Sequence, residues 1–436
     1  MLKDFKQHIF SNFPNLENKK IIVATSGGVD SVVLVHLLNQ LEFDIELAHC
    51  NFQLRGLESE LDSKLVEDLG NQLNCKCHIK KFDTAGYSEE HKTSIQIAAR
   101  ELRYAWFAEL AYSINADYIA TAHHADDNLE TFLINLSRGT GLDGLTGIPK
   151  QNGNVIRPLL SFSKEQIIAY AELNHINWRE DQSNSETKYV RNKIRHNIIP
   201  TLKELNPNVL SSFSKTIDHL SESRAIVDEK VSEVLTEIQS KDGDVIKINI
   251  EKMLKLTNRK AYLYEVLKNY NFTEWSNISD LLEGQTGKTI YSKSHVLLKD
   301  RGFLLLKERE QLSVDNHKFY IEKGIEEIEE PIKLAFKNTD KKETVTKNYV
   351  LVNKNLVTFP IILRKWEEGD FFYPLGMTGK KKVSKFFKDE KLSRFKKDQT
   401  WLLCNADNEI IWIVGMRQDR RYSIDSSTTD VLQISI

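Results

Sequence analysis

Ser26-Gly27-Gly28-Val29-Asp30-Ser31 stands one residue, Thr25, after the apolar run Ile21-Ile22-Val23-Ala24 and before Val32-Val33-Leu34-Val35-His36-Leu37-Leu38. β-Branched residues running into paired glycines and then into a second apolar run predict strand, tight turn and helix. Glycine lets the backbone approach a ligand closely and turn its N–H groups outward. The helix behind adds unpaired N–H groups and the positive end of its dipole, so the turn suits an anion. No lysine closes it, which separates it from the G-x-x-x-x-G-K-S/T phosphate loop. Ser26 and Ser31 supply hydroxyl donors, and Asp30 is the candidate ligand for a Mg2+ bridging phosphate oxygens. A bare Gly-Gly pair reads as an ordinary βα turn; the whole hexapeptide in this setting reads as more.

Working outward, strands are predicted over 44–49, 77–82 and 118–122, with helices over 59–73 and 93–114 between them. This alternation predicts an α/β fold on a doubly wound parallel sheet. Ligands in that architecture sit beyond the C-terminal ends of the strands. The hexapeptide and His123-His124-Ala125-Asp126-Asp127-Asn128-Leu129-Glu130 both fall there.

His123 and Asp127 are four apart and Asp127 and Glu130 three apart, so the three can share one helix face. A cap explains one acid in a first turn, but two histidines and three acids at one strand end point to chemistry. Such carboxylates suit a Mg2+, an incoming amine or its proton. The glycine-rich segment 137–149 reads equally well as a substrate loop and as plain surface. Arg100 and Arg103, and Arg191 and Arg195, are spaced to lie together on helices, and guanidinium suits phosphate. Any single arginine is more often a solvated surface residue; apolar and aromatic neighbours favour the second pair.

With 436 residues, two or three domains are expected. The composition shifts predict a catalytic domain over 1–210, a mostly helical middle domain over 211–310, an acid-rich linker over 311–349 and a small α+β domain over 350–436. In the last, Lys380, Lys381, Lys382, Lys385, Lys388, Lys391, Arg394, Lys396 and Lys397 crowd one segment. Val383, Phe386 and Phe387 recur among them at helical spacing, so one face can pack while the other meets phosphate backbone. Hydrophobic residues make up 40% and charged residues 28%, a globular composition. No apolar run approaches the ~20 residues of a membrane span, and the first residues carry no signal-peptide core, so a cytoplasmic protein is expected. Four scattered cysteines exclude a disulfide framework, and Cys75-Lys76-Cys77 has the wrong spacing for zinc or a redox pair.

The hexapeptide resembles the PP-loop of the ATP-pyrophosphatase superfamily, whose sheet is of the adenine nucleotide alpha hydrolase type and which splits ATP into AMP and pyrophosphate. Together with 123–149 and Arg191-Asn192-Lys193-Ile194-Arg195, it makes the chain resemble the tRNA(Ile)-lysidine synthase family over nearly its full length. Arg364-Lys365-Trp366-Glu367-Glu368-Gly369-Asp370 and Val414-Gly415-Met416-Arg417 resemble that family's tail. Gln53 departs from the pattern, which has a histidine there.

The resemblance implies ATP-dependent joining of free L-lysine to C2 of the wobble cytidine of the CAU-anticodon isoleucine tRNA, with Mg2+. It implies ATP contacts from Ser26, Gly27, Gly28, Val29, Asp30 and Ser31, with Asp30 on the metal. Asp127 and Glu130 would take the lysine or its proton, and His123, Arg103 and Arg195 would steady the phosphates and the activated base. A homodimer stays open. A PP-loop tRNA thiolase would want a sulfur-carrying cysteine pair, a PP-loop amidotransferase a glutaminase domain, and a non-catalytic tRNA-binding relic would not need Ser26, Asp30, Ser31 and Asp127.

Overall fold

A computed structural model describes residues 1–179, 190–309, 317–340 and 346–436. The polar stretch expected over 181–188, and residues 310–316 and 341–345 of the acid-rich segment, lie outside it. The described chain divides into two compact units, Met1–Glu229 and Lys230–Ile436.

In the first unit, α1 (Leu2–Asn12) leads into β1 (Lys20–Ala24), α2 (Val29–Gln40), β2 (Asp44–Asn51), α3 (Leu57–Leu73) and β3 (Cys77–Lys81). Next come α4 (Thr84–Glu90), α5 (Ile95–Ser113), β4 (Tyr118–Ala120), α6 (Ala125–Ser137) and α7 (Leu142–Leu145). β5 (Gln151–Asn152), β6 (Val155–Ile156) and α8 (Lys164–Leu173) complete the α/β part. The strand order is β3-β2-β1-β4-β6-β5, parallel except where β5 pairs with β6. The order reverses at β1, so the doubly wound sheet is as expected, and its switch point lies between β1 and β4. Ile21 pairs with Tyr118 and Val23 with Ala120, which brings the two C-terminal ends side by side.

β1 is apolar without alternation because both its faces are covered. Ile21 and Val23 join the core under α1, α2 and α8, while Ile22 joins Trp106, Phe107 and Ile119 on the opposite face. α2 is buried at Val32, Val33, Leu34, Val35, Leu37 and Leu38, a helix apolar on most sides because it lies inside. Ser94 caps α5 by accepting from the Ile97 N–H, and Ser163 and Gln166 form a reciprocal capping box on α8.

The segment 211–310, expected to be mostly helical, carries the helix Val209–Ile238 and shorter helices together with a sheet. Residues from Gln239 onward build a five-stranded antiparallel sheet, in the order Gln239–Asp242, Val245–Asn249, Phe303–Glu308, His295–Asp300, Thr289–Tyr291. The short helices Ile250–Leu254, Arg259–Leu267 and Trp275–Leu281 pack on it through Met253, Leu263, Leu267, Ile278 and Leu281. Asp242 and Gly243, the latter with φ +61°, turn the first hairpin.

The last segment holds two antiparallel sheets around Val350, Leu363, Trp412 and Ile434. The helix Val383–Asp389 buries Val383, Phe386 and Phe387, as their spacing predicts. Lys381 and Lys396 are tied up in ion pairs with Asp389 and Asp242, while Lys382, Lys385 and Lys388 stand exposed. Arg364 is almost wholly buried and fully bonded: it donates to both oxygens of Asp370 (2.8 Å each), to Asn408 Oδ1 (2.7 Å) and to the Lys365 carbonyl (2.9 Å). Removing one partner of a buried pair strands the other charge. Arg364→Met is expected to lower unfolding stability by about 3 kcal/mol, read as a fall in the urea midpoint at unchanged slope.

Candidate active site

The hexapeptide turns where β1 ends. Gly27 has φ +92°, a conformation that side chains rarely adopt, and its carbonyl accepts from the Arg179 N–H (3.1 Å). Ser31 Oγ accepts from the Ser26 N–H (3.1 Å) and donates to the Gly28 carbonyl (2.9 Å), with Ser26 Oγ 3.2 Å away. Both hydroxyls therefore lie at the mouth of α2. Asp30, in its first turn, takes the Lys164 ammonium on both oxygens, at 2.7 and 2.8 Å.

The second segment starts where β4 ends, one strand away. His124 Nε2 lies 3.9 Å from Asp30 and 3.4 Å from Asp127, while its Nδ1 is 3.6 Å from Asp126. These separations are long for hydrogen bonds, so the attraction acts through charge. Burial alone would depress the imidazole, but Asp126, Asp127 and Asp30 raise it above its ordinary 6.5. His124 thus joins the two strand ends electrostatically.

Asp127 Oδ2 accepts from the His124 N–H (3.2 Å), so it is both cap and site residue. Burial opposes its ionisation, yet His124, His123 and Arg195 hold it below the usual carboxylate range. Glu130 is fully buried, and burial pushes its carboxyl up against the pull of Arg195. Arg195 donates from Nε and Nη2 to Glu130 (2.6 and 3.1 Å) and from Nη2 to Asp127 (3.0 Å). Arg191 reaches Glu130 at 3.2 Å. The π-helical turn Ile194–Ile198 carries Arg195 directly behind the helical turn of Arg191, and Ile194 and Ile199 anchor it by packing with Leu129 of α6 and Phe213.

Asp126 faces the other way. It accepts from the Lys164 N–H (2.8 Å) and from Lys203 Nζ (2.6 Å), which also pairs with Glu165; together with His124 these cations hold Asp126 well below the carboxylate range despite its burial. Asp126 therefore fixes the start of α8 rather than facing the hexapeptide.

The structure thus brings Ser26, Asp30, Ser31, Asp127, Glu130 and Arg195 to one crevice. His123 adjoins it: Nδ1 is 3.0 Å from Thr121 Oγ1, and burial pushes the ring down to about 4, a neutral imidazole. Arg103 stands apart, over the Phe52 ring at 5.3 Å beside the end of β2, with no ion pair to the acid cluster among the described residues. Lys164 and Lys203 escaped the sequence reading. The signal for Lys164 was local: a cation in a helix's first turn opposes the dipole and calls for a distant partner.

The glycine-rich segment is pinned rather than loose. Asn128 Oδ1 accepts from the Ile148 N–H (2.6 Å), Asn135 donates to the Gly144 carbonyl (2.9 Å) and Arg224 pairs with Asp143 (3.0 Å). A cavity of about 850 Å³ beside it is lined by Asn128, Ile148, Glu165, Lys203 and Phe213, and by neither Asp30 nor Asp127. Among the described residues no group of three or more His, Cys, Asp or Glu is placed to hold a metal ion, so a Mg2+ in this crevice would draw on one or two carboxylates together with phosphate oxygens. Asp30 and Asp127, hard oxygen donors facing one common imidazole nitrogen, fit that role.

Residues 1–202 match the family model of the PP-loop domain, 241–309 that of the TilS substrate binding domain and 361–435 that of the TilS substrate C-terminal domain. The tRNA(Ile)-lysidine synthase of Parabacteroides distasonis is 39% identical over 425 residues, covering 96% of either chain. That of Bacteroides thetaiotaomicron is 38% identical over 429 residues, covering 98% of this chain and 96% of its own. Among solved structures, the U34-tRNA thiolase NcsA from Methanococcus maripaludis with its 4Fe-4S cluster is similar at TM-score 0.43 and 19% identity, over 51% of this chain and 78% of that one.

A charged His124 adds stability that is complete below its ordinary value of 6.5 and is lost as pH rises through its raised folded value. The stability gap between wild type and His124→Gln is therefore expected to be widest below the ordinary value of 6.5 and to narrow as pH rises above it, measured by urea unfolding across pH.

Proposed function

Because the chain belongs to the tRNA(Ile)-lysidine synthase family, a family of PP-loop ligases, we infer that it joins L-lysine to C2 of the wobble cytidine of the CAU-anticodon isoleucine tRNA. The observation that carries this reading is the meeting of two chemistries at adjacent strand ends. A phosphate loop with Asp30 lies on one side of His124, and the acids Asp127 and Glu130, tied together by Arg195, on the other.

The cytosine 2-oxygen attacks the α-phosphorus of ATP and pyrophosphate leaves with the electron pair of the broken P–O bond. The lysine ε-nitrogen then attacks C2, and the C2–O bond breaks to release AMP. Ser26, Ser31 and the N–H groups at the start of α2 hold the phosphate chain. Mg2+, held by Asp30 and Asp127, would draw charge from phosphate oxygens. The lysine ammonium, with a pKa near ~10.4 in water, must lose a proton to attack. Asp127 is ionised and so attracts that ammonium and is placed to take its proton, while Glu130, wholly buried with both oxygens on Arg195, fixes the acid cluster in place. Neutral His123 donates or accepts a hydrogen bond without adding charge.

Sulfur transfer is disfavoured by the thiols themselves. Burial pushes Cys50 and Cys404 up to about 12 and Cys77 up to about 11, so little thiolate exists near neutrality. The wobble base must leave its stack to react, and the exposed Lys382, Lys385 and Lys388 suit the phosphate backbone of the same tRNA.

Labelled lysine with ATP and Mg2+ is expected to enter the CAU isoleucine tRNA and not an elongator methionine tRNA. Label on neither, with AMP still released, would remove the lysidine reading. Asp127→Asn is expected to lower turnover by about 100-fold or more; full turnover would remove that assignment. Replacing Lys382, Lys385 and Lys388 by Glu should weaken tRNA binding, flatten its logarithmic salt slope by about 3 and leave ATP binding unchanged, as read by filter binding across salt.

A further inference from the structure

The phosphate loop lacks a lysine of its own, yet an ammonium stands on it. Lys164 comes from the first turn of α8, and its Nζ lies 2.7 and 2.8 Å from the two oxygens of Asp30, 134 positions earlier in the chain. Its main chain is fixed: Ser163 caps the helix, and the Lys164 N–H donates to Asp126 Oδ2 at 2.8 Å. Only the four-carbon arm is left to move. The two side chains are 34% and 27% exposed, so the pair stands where solvent and a ligand reach it. A pair so exposed is held weakly, and the β- and γ-phosphates of ATP carry more charge than a single carboxylate. Pyrophosphate departure also needs positive charge where the leaving oxygen gains electrons.

We propose that Lys164 is the phosphate-binding cation of this loop, exchanging Asp30 for the β- and γ-phosphates of ATP and thereby freeing Asp30 for Mg2+. The role rests on the ATP reading above and extends it to a residue outside the hexapeptide. A lysine at this point serves only nucleotides that carry a pyrophosphate portion. AMP, bound through its base, ribose and α-phosphate, does not need it.

The test is equilibrium binding of ATP, AMP and inorganic pyrophosphate to the full chain, as wild type, Lys164→Gln and Lys164→Arg, each checked for an unchanged melting curve. Lys164→Gln is expected to weaken ATP and pyrophosphate by about tenfold or more, the scale of one charge-assisted contact, and to leave AMP within about twofold. Lys164→Arg is expected to restore most of the loss. ATP and AMP weakening together would mean that Lys164 merely shapes the loop, and an unchanged ATP affinity would mean that it never leaves Asp30; either overturns the role. A wild type that bound no ATP would overturn the nucleotide reading itself, so the two failures are told apart.

Discussion

Gathering carboxylates at one end of a parallel sheet is possible only if each is neutralised, and that constraint organises the first unit. Asp30, Asp126, Asp127, Glu130 and Glu165 lie within reach of one another's cations. Unpaired and half-buried, they would repel one another and drive their own protonation. The bases that balance them, Lys164, Arg191, Arg195 and Lys203, all come from later in the chain than the acids of α2 and α6. The segment beyond β6 is therefore a requirement of the site: without it the strand ends would carry an uncompensated negative patch. His124, its imidazole raised by the acids around it, is the early segment's own contribution to that balance, and it stands between the two strand ends.

The same constraint explains what sequence patterns reveal and what they hide. Strands β1 and β4 are legible because burial on both faces demands unbroken apolar runs. Asp127 and Glu130 are legible because a three-residue spacing puts them on one turn. Their partners are not, since nothing local ties Arg195 to Glu130 across 65 positions or Lys164 to Asp30 across 134. Arg103 shares with Arg195 a paired helical spacing, though not the same apolar surroundings, and faces Phe52 instead. The sheet in the middle of the chain is hard to read for a related reason. Gln239–Asp242 is a polar edge strand continuing directly from the helix Val209–Ile238, so periodicity gives no boundary, and only the Asp242-Gly243 turn announces a hairpin.

The lysine-rich tail segment shows how one composition is divided between structure and surface. Lys381 and Lys396 hold their own unit together through Asp389 and Asp242, and Phe395 packs with Val245, Val296 and Leu305 on the middle sheet. Charge counting alone overstates what is offered to a polyanion. What remains are cations standing on a helix whose opposite face is anchored by Val383, Phe386 and Phe387. Rigid anchoring matters because ordering a mobile lysine arm costs entropy on binding.

Burial divides the ion pairs of the site into two kinds with different consequences for chemistry. The Glu130 side chain is 1% exposed, and both its oxygens are taken up by the Arg195 guanidinium. Breaking such a pair leaves a desolvated charge, so it persists through a reaction cycle and holds the amine-facing side in one geometry. Asp30 and Lys164 are each about a third exposed, where water can replace either partner at small cost. The nucleotide side is therefore the exchangeable half and the amine side the fixed half. A two-step reaction on one crevice needs that asymmetry: a highly charged pyrophosphate must enter and leave, while the nucleophile that follows must meet an electrostatic surface that has not rearranged.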